Sequence, residues 1–157
     1  MHMEIERKFK ISDDWTVPRD VARQRVRQAY LTSPGSDSEI RVREKGEVRV
    51  LTVKSPVADA GSLVRKEVEF EIDDEVFEQL WEMARGHSLS KIRSIVPVGD
   101  RVAAVDVYEG PLAGLCVVEV EFDSVDTAKA FIPPSWFGEE VTDDPAWSNR
   151  ELAAVYA

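Results

Sequence analysis

The 157 residues suit a single domain, residues 1–157, with a sizeable buried core, and a hydrophobic share of 43% beside a charged share of 32% reads as globular rather than disordered. A net charge of −10 argues against a general nucleic-acid binder, no apolar run approaches the ~20 residues of a membrane span, and nothing near the N-terminus reads as a signal peptide. The lone Cys116 excludes an internal disulfide framework and fits a reducing cytosol, so a cytoplasmic protein is expected, with that thiol as a small buried apolar group. Met1 and His2 read as an added leader before a native start at Met3.

The first strand covers residues 3–11. Successive strand side chains point to opposite faces, so Glu4, Glu6 and Lys8 share one face and Ile5, Arg7, Phe9 and Ile11 the other. Members of the charged row stand about 7 Å apart. Carboxylate oxygens suit magnesium or manganese and an ammonium suits a phosphate oxygen, so this row can hold a metal and a phosphate together. Asp13-Asp14 opens a short helical or irregular link. A less regular strand spans 21–32, and its Arg23, Arg25 and Arg27 either extend a basic wall or face solvent. Strands 38–45 and 48–55 meet at Gly46-Glu47, a hairpin signal. They set Glu39, Arg41, Arg43, Thr52 and Lys54 against Ile40, Val42, Leu51 and Val53. Strand 63–72 alternates Arg65, Glu67, Glu69 and Glu71 with Lys66, Val68, Phe70 and Ile72.

Asp73-Asp74 caps a helix over 74–86, ended by Gly86. Its Phe77, Leu80, Trp81 and Ala84 form one packing face. Strands 89–98 and 101–109 flank a Gly99-Asp100 turn and present Lys91, Arg93 and Asp106. The last strand, 115–123, presents Glu119, Glu121 and Asp123. A helix after Asp123 ends at Pro133-Pro134, and residues 145–157 make a final helix. His2 and His87 sit on no charged row and read as solvated.

Short turns imply an antiparallel sheet. Two arrangements fit its charged stripes. One is an ordinary sheet, apolar side in and charged side out. The other is a closed eight-stranded barrel with the charges facing a lumen. The charges are segregated by strand: the third, fourth and sixth are basic, while the fifth, seventh and eighth are mainly acidic. The row Glu67, Glu69, Glu71 repels itself unless cations lie opposite. Inward charges would leave an apolar outer face to be covered by the helices, by the C-terminal segment or by a second copy of the chain in a homodimer.

In their order along the chain, these motifs resemble the CYTH superfamily, also called triphosphate tunnel metalloenzymes, in its short bacterial form. The stretch from Glu4 to Phe9 is similar to that family's ExExK signature, and Gln28 to Leu31 to its QxYL strand. Arg41-Val42-Arg43 resembles its RxR, Thr52-Val53-Lys54 its TxK, and Arg65 to Glu71 its RxExExE. Lys91-Ile92-Arg93 resembles its KxR, Val105 to Tyr108 its aspartate-bearing strand, and Glu119-Val120-Glu121 its ExE. Gly138 to Pro145 is similar to its GxEVTxDP segment. Two positions depart: Ala104 stands where many members carry glutamate, and Trp147-Ser148 replaces an aromatic pair before Asn149.

The resemblance implies an α+β, mainly β fold, an eight-stranded closed antiparallel barrel with a polar charged lumen and a few flanking helices. It implies phosphate contacts from Lys8, Arg41, Arg43, Lys54, Arg65, Lys91 and Arg93. Metal ligands for Mg2+ or Mn2+ would be Glu4, Glu6, Glu69, Glu71, Glu119 and Glu121, with Glu67 and Asp106 supporting. The catalytic residues would be Glu4, Glu6, Lys8 and Lys91, and no serine, cysteine or histidine nucleophile is required. The implied activity is metal-dependent hydrolysis of a small-molecule triphosphate, foremost inorganic tripolyphosphate, with no nucleic-acid or membrane partner. Alternatives are a class IV-type adenylate cyclase, a thiamine triphosphatase and a non-catalytic polyphosphate-binding module. The thiamine reading wants an aromatic near the third and fourth strands, and none of Trp15, Trp81, Trp136 or Trp147 lies there in sequence.

Overall fold

The computed structural model describes residues 2–155, so Met1 and the end of the expected last helix at Tyr156 and Ala157 lie outside the described residues. The strands are β1 (His2–Ile11), β2 (Arg23–Tyr30), β3 (Glu39–Lys45), β4 (Val48–Pro56), β5 (Val64–Glu71), β6 (Ser88–Val98), β7 (Arg101–Tyr108), β8 (Cys116–Glu121) and β9 (Phe137–Glu140). The helices are α1 (Asp74–Met83), α2 (Val125–Ala130) and α3 (Asn149–Ala154), with 3-10 turns at Gly110–Leu112 and Pro145–Trp147.

The sheet runs β5-β4-β3-β2-β6-β7-β8-β1-β9, and β5 also pairs with β1, which closes eight antiparallel strands into a barrel. β1 is the seam. His2 to Ile5 pair with Glu67 to Val64 of β5, and Glu6 to Lys10 pair with Glu121 to Val117 of β8. Farther along, β9 joins β1 at Phe9↔Glu140 and Ile11↔Phe137, with a register shift between them.

Two apolar clusters lie outside this barrel wall, a third lies on its lumen face, and the buried polar residues lie within it. Phe9, Val105, Val118 and Val120 pack outward beneath Ala128 of α2 and Phe137 of β9. Ala29 and Val42 pack beneath Phe77 and Ala84 of α1, whose N-terminus is capped by the Asp73 side chain accepting the Val76 N–H. Leu152 and Ala153 of α3 close a third cluster against Tyr30, Leu89, Tyr108 and Val117. Inside the wall, Glu4, Gln28, Arg41, Thr52, Lys54, Lys91 and Asp106 are buried. Of the two arrangements that fit the stripes, the closed barrel with inward charges is the one formed. Helices and β9 cover much of the outer face, while Val68 and Phe70 on β5 stay exposed.

The local differences have physical reasons. The expected helix over 145–157 is broken: Pro145 opens a 3-10 turn, and Ser148 then caps α3 by accepting the Glu151 N–H. Asp13-Asp14 forms only a turn. β9 is too short to show alternation and is held by pairing with β1 and by the Phe137 anchor. Gly46 turns the β3–β4 hairpin at φ 61°, and a Cβ there would meet the Gln24 side chain at 2.4 Å.

Candidate functional site

The barrel encloses a cavity with an acidic and a basic side. On the acidic side, Glu4 and Glu6 of β1 and Glu121 of β8 each offer a carboxylate oxygen, and these oxygens lie within 4.8 Å of one another. The register explains the meeting, because Glu6 sits directly across from Glu121 in the β1–β8 ladder. Glu119, across from Lys8, also lines the cavity.

On the basic side, Lys8, Arg41, Arg43, Lys54, Arg65 and Arg93 line the same space. Lys54 Nζ lies 2.9 Å from both Glu4 carboxylate oxygens. Arg65 reaches less closely to Glu4 at 3.4 Å, to Glu6 at 3.6 Å and to Glu39 at 3.6 Å. Arg43 Nε donates to Gln28 Oε1 at 3.0 Å, while the buried Arg41 Nε has no hydrogen-bond partner among the described residues. Lys8 Nζ donates to the Trp147 carbonyl at 3.0 Å and stands 3.3 Å from Glu119.

Both sides are under electrostatic stress. Burial pushes the Glu6 carboxyl up to about 8, and the neighbouring Glu119 and Glu4 add to it. Burial pushes the Arg43 guanidinium down to about 10, helped by Arg41 and Arg93 crowding it. For Glu119 burial works the other way from its partners: Lys8, Arg93 and Lys91 outweigh it and hold the carboxyl well below its usual range. Three clustered carboxylates are a hard-oxygen donor set, which fits a divalent cation such as magnesium or manganese. The crowded guanidiniums fit phosphate oxygens.

Other expected residues lie elsewhere. Lys91 does not line the cavity; it is fully buried behind it, 2.8 Å from Asp106 Oδ2 but off a hydrogen-bonding direction. Arg93 holds Asp106 with two bonds of 2.8 Å. Burial pushes the Lys91 ammonium down to about 7, against the pull of Asp106. Glu67 flanks Lys54 at 3.6 Å. Glu69 and Glu71 are exposed, and neither joins the Glu4, Glu6, Glu121 group among the described residues. Among the described residues β5 pairs with β1 as far as Glu67, which lies across from His2, and Glu69 and Glu71 lie beyond that pairing. Glu69 instead accepts the Thr52 hydroxyl at 2.7 Å.

The arginines of β2 face outward. Arg23 donates to the Pro18 and Arg19 carbonyls, Arg25 pairs with Glu109, and Arg27 pairs with Glu44 and lies over the Trp81 ring. Cys116 is half-buried, and burial with nearby Asp106 pushes its thiol up to about 11.

Several lining residues escaped strand-pattern reading. Tyr30, pushed up to about 12 by burial and then by Glu39, lines the cavity, as do Thr142, Trp147 and Asn149 after β9. Thr142 lies in a turn, Trp147 in the 3-10 turn and Asn149 at the start of α3, where no alternation marks a lumen-facing side. Tryptophan therefore does reach the site, although Lys10 Nζ already stands 5.0 Å over the Trp147 ring. Ala104 faces Glu119 across the β7–β8 ladder.

A closed antiparallel barrel with a lumen of opposed carboxylates and guanidiniums defines the class: a tunnel built for a polyanion together with a cation. The chain belongs to the CYTH domain family, whose profile matches residues 2–140. It is 43% identical over 152 residues to an inorganic triphosphatase of Nitrosomonas europaea, covering 96% of each chain. It is 32% identical over 157 residues to an inorganic triphosphatase of Acetivibrio thermocellus, covering 97% of this chain and 94% of that one. The crystal structure of the inorganic triphosphatase NE1496 superposes with a TM-score of 0.69 at 40% identity, covering 98% of this chain and 95% of that one.

Proposed function

We propose that this protein is a divalent-metal-dependent triphosphatase that hydrolyses inorganic tripolyphosphate to pyrophosphate and phosphate. The observation that carries the reading is geometric: Glu4, Glu6 and Glu121 bring carboxylate oxygens within 4.8 Å of one another in a cavity also lined by Lys8, Arg41, Arg43, Lys54, Arg65 and Arg93. A metal–triphosphate complex supplies the charges that relieve both sides at once. The likeness to inorganic triphosphatases along nearly the whole chain supports the same substrate.

In this reading Glu4, Glu6 and Glu121 hold Mg2+ or Mn2+, with Glu119 beside them. A bound divalent cation neutralises phosphate charge and acidifies a bound water. Lys8, Arg41, Arg43, Lys54, Arg65 and Arg93 grip the phosphate oxygens, the arginines with paired donors and the lysines as point charges. Phosphoryl transfer depends mainly on positioning and charge stabilisation, which such a fixed ring provides. Lys91 does not reach the cavity, so its role is to support Asp106 from behind rather than to contact phosphate or water. Asp106 anchors Arg93 and Lys91 together. Glu69 and Glu71 receive no ligand role.

Trp147 among the residues that line the cavity favours thiamine triphosphate as the second reading, because an aromatic face attracts an organic cation. Lys10 over that ring competes for it. The test is to incubate the protein with tripolyphosphate, ATP and thiamine triphosphate plus magnesium or manganese and to identify the products. Phosphate and pyrophosphate from tripolyphosphate are expected. Release from none of the three sinks the assignment, and cyclic AMP from ATP replaces it with a cyclase.

A further inference from the structure

Arg7 stands on the outer face of β1 between Glu6 and Lys8 and does not line the cavity. Its Nε and Nη2 donate to the two Glu140 carboxylate oxygens at 2.9 and 2.8 Å. Its Nη1 donates to the carbonyls of Ala128 at 2.8 Å and Phe131 at 3.1 Å. Glu140 ends β9, and its Oε2 also accepts the Thr142 hydroxyl at 2.7 Å. A hydroxyl has one proton, so this bond leaves Thr142 Oγ1 as an acceptor, and it receives the Lys8 backbone N–H at 3.0 Å. The Lys8 carbonyl accepts the Val141 N–H at 2.8 Å. Both backbone groups of Lys8 are thus tied to the segment that follows β9. That segment, residues 141–147, forms one wall of the cavity, and the Lys8 ammonium meets its far end at the Trp147 carbonyl. Arg7 fixes the start of the wall from outside, and Lys8 fixes its end from inside.

We propose that Arg7 is a positioning residue for triphosphate binding, acting through Glu140 and Thr142 to set the Lys8 backbone and the wall of residues 141–147. A guanidinium fork on a carboxylate gives a defined geometry that a lysine at position 7 cannot copy. The inference rests on the triphosphatase reading for its kinetic half only. If Arg7 were merely a staple joining β1, β9 and α2, its loss would lower thermal stability and leave substrate affinity alone.

The experiment compares the full chain with Arg7→Met, Arg7→Lys, Glu140→Gln, Thr142→Val and Thr142→Ser. With saturating magnesium, the KM for tripolyphosphate is expected to rise about tenfold in Arg7→Met, Glu140→Gln and Thr142→Val while kcat changes less than about twofold. Arg7→Lys should stay close to Arg7→Met, and Thr142→Ser should return to the wild-type KM. The double variant Arg7→Met with Thr142→Val should be no worse than either single, since both cut one relay. A wild-type KM in Thr142→Val, or additive losses in the double variant, overturns the proposal. A second measurement needs no turnover: amide hydrogen exchange over residues 141–147, without metal or substrate, should quicken in Arg7→Met and Thr142→Val. Unchanged exchange there also overturns it. If the wild type releases no phosphate, the functional reading falls while the exchange measurement still decides the relay.

Discussion

Glu6 and Lys91 are held by the fold away from their preferred charge states, and each makes a prediction with a defined sign. The Glu6 carboxyl lies near 8 when folded against an ordinary value of 4.5. Between those pH values the folded protein keeps a proton that the unfolded chain has released, so the metal-free fold loses stability as pH rises through the window. Glu6→Gln removes that slope. Urea titration at pH 8 without metal should show it more stable than wild type by about 1–3 kcal/mol, and added magnesium should stabilise only the wild type. A Glu6→Gln variant that is weaker at pH 8 would contradict this. Lys91 has the opposite sign. Its folded value near 7 lies below its ordinary 10.5, so the unfolded chain holds the extra proton between them and stability rises with pH across that range. The rise should be missing in Lys91→Met when urea midpoints are followed from pH 7 to 10.

Elements differ in how they are held, and α3 is held mainly by one side chain and one small cluster. Arg150 donates to the Ser38 carbonyl at 2.9 Å and the Ser36 carbonyl at 3.0 Å, tying α3 to the β2–β3 loop, while Leu152 and Ala153 pack beneath it. Arg150→Ala should quicken hydrogen exchange in α3 with at most about 1 kcal/mol lost in a urea titration, because the apolar contacts remain. Phe77 of α1 is fully buried, so Phe77→Ala should cost about 3–5 kcal/mol by the same titration. These two elements also mark what a sequence can and cannot reveal. The Phe77, Leu80, Trp81, Ala84 face and the Asp73 cap announce α1, and strict alternation announces β1, β3, β5 and β8, because in each a buried face imposes a period. The inward turn of the charged rows follows from the segregation of acidic and basic strands; of the self-repelling row on β5, Glu67 is met by Lys54, whereas Glu69 stays exposed against the Thr52 hydroxyl. Glu69 and Glu71 show the limit: alternation places them on the lumen-facing side, but only the register tells that they lie beyond the described β5–β1 pairing. Tyr30, Thr142 and Trp147 were silent because side chains brought in by tertiary packing leave no local period.

At the scale of the molecule, a chain of net charge −10 gathers six of its 20 lysines and arginines around one cavity. A ligand that binds only the folded form stabilises it by about 2.7 kcal/mol at a hundred times its Kd. Tripolyphosphate with magnesium should therefore raise the melting temperature by about 5–10 °C, an effect to be followed by differential scanning fluorimetry. Chelation of the metal should remove most of the rise, and sodium chloride at equal ionic strength should not reproduce it. The seam at β1 carries one further consequence, for synthesis. β1 pairs with β5, β8 and β9, so the strand bearing Glu4 and Glu6 emerges from the ribosome long before the strand bearing Glu121. A nascent chain can assemble the β2–β3–β4 hairpins early, but it carries β1 as an unpaired, highly charged edge until the later strands arrive. The proposed metal ligands therefore meet only once the barrel closes, and refolding rate should depend more on β1 pairing than on any single helix.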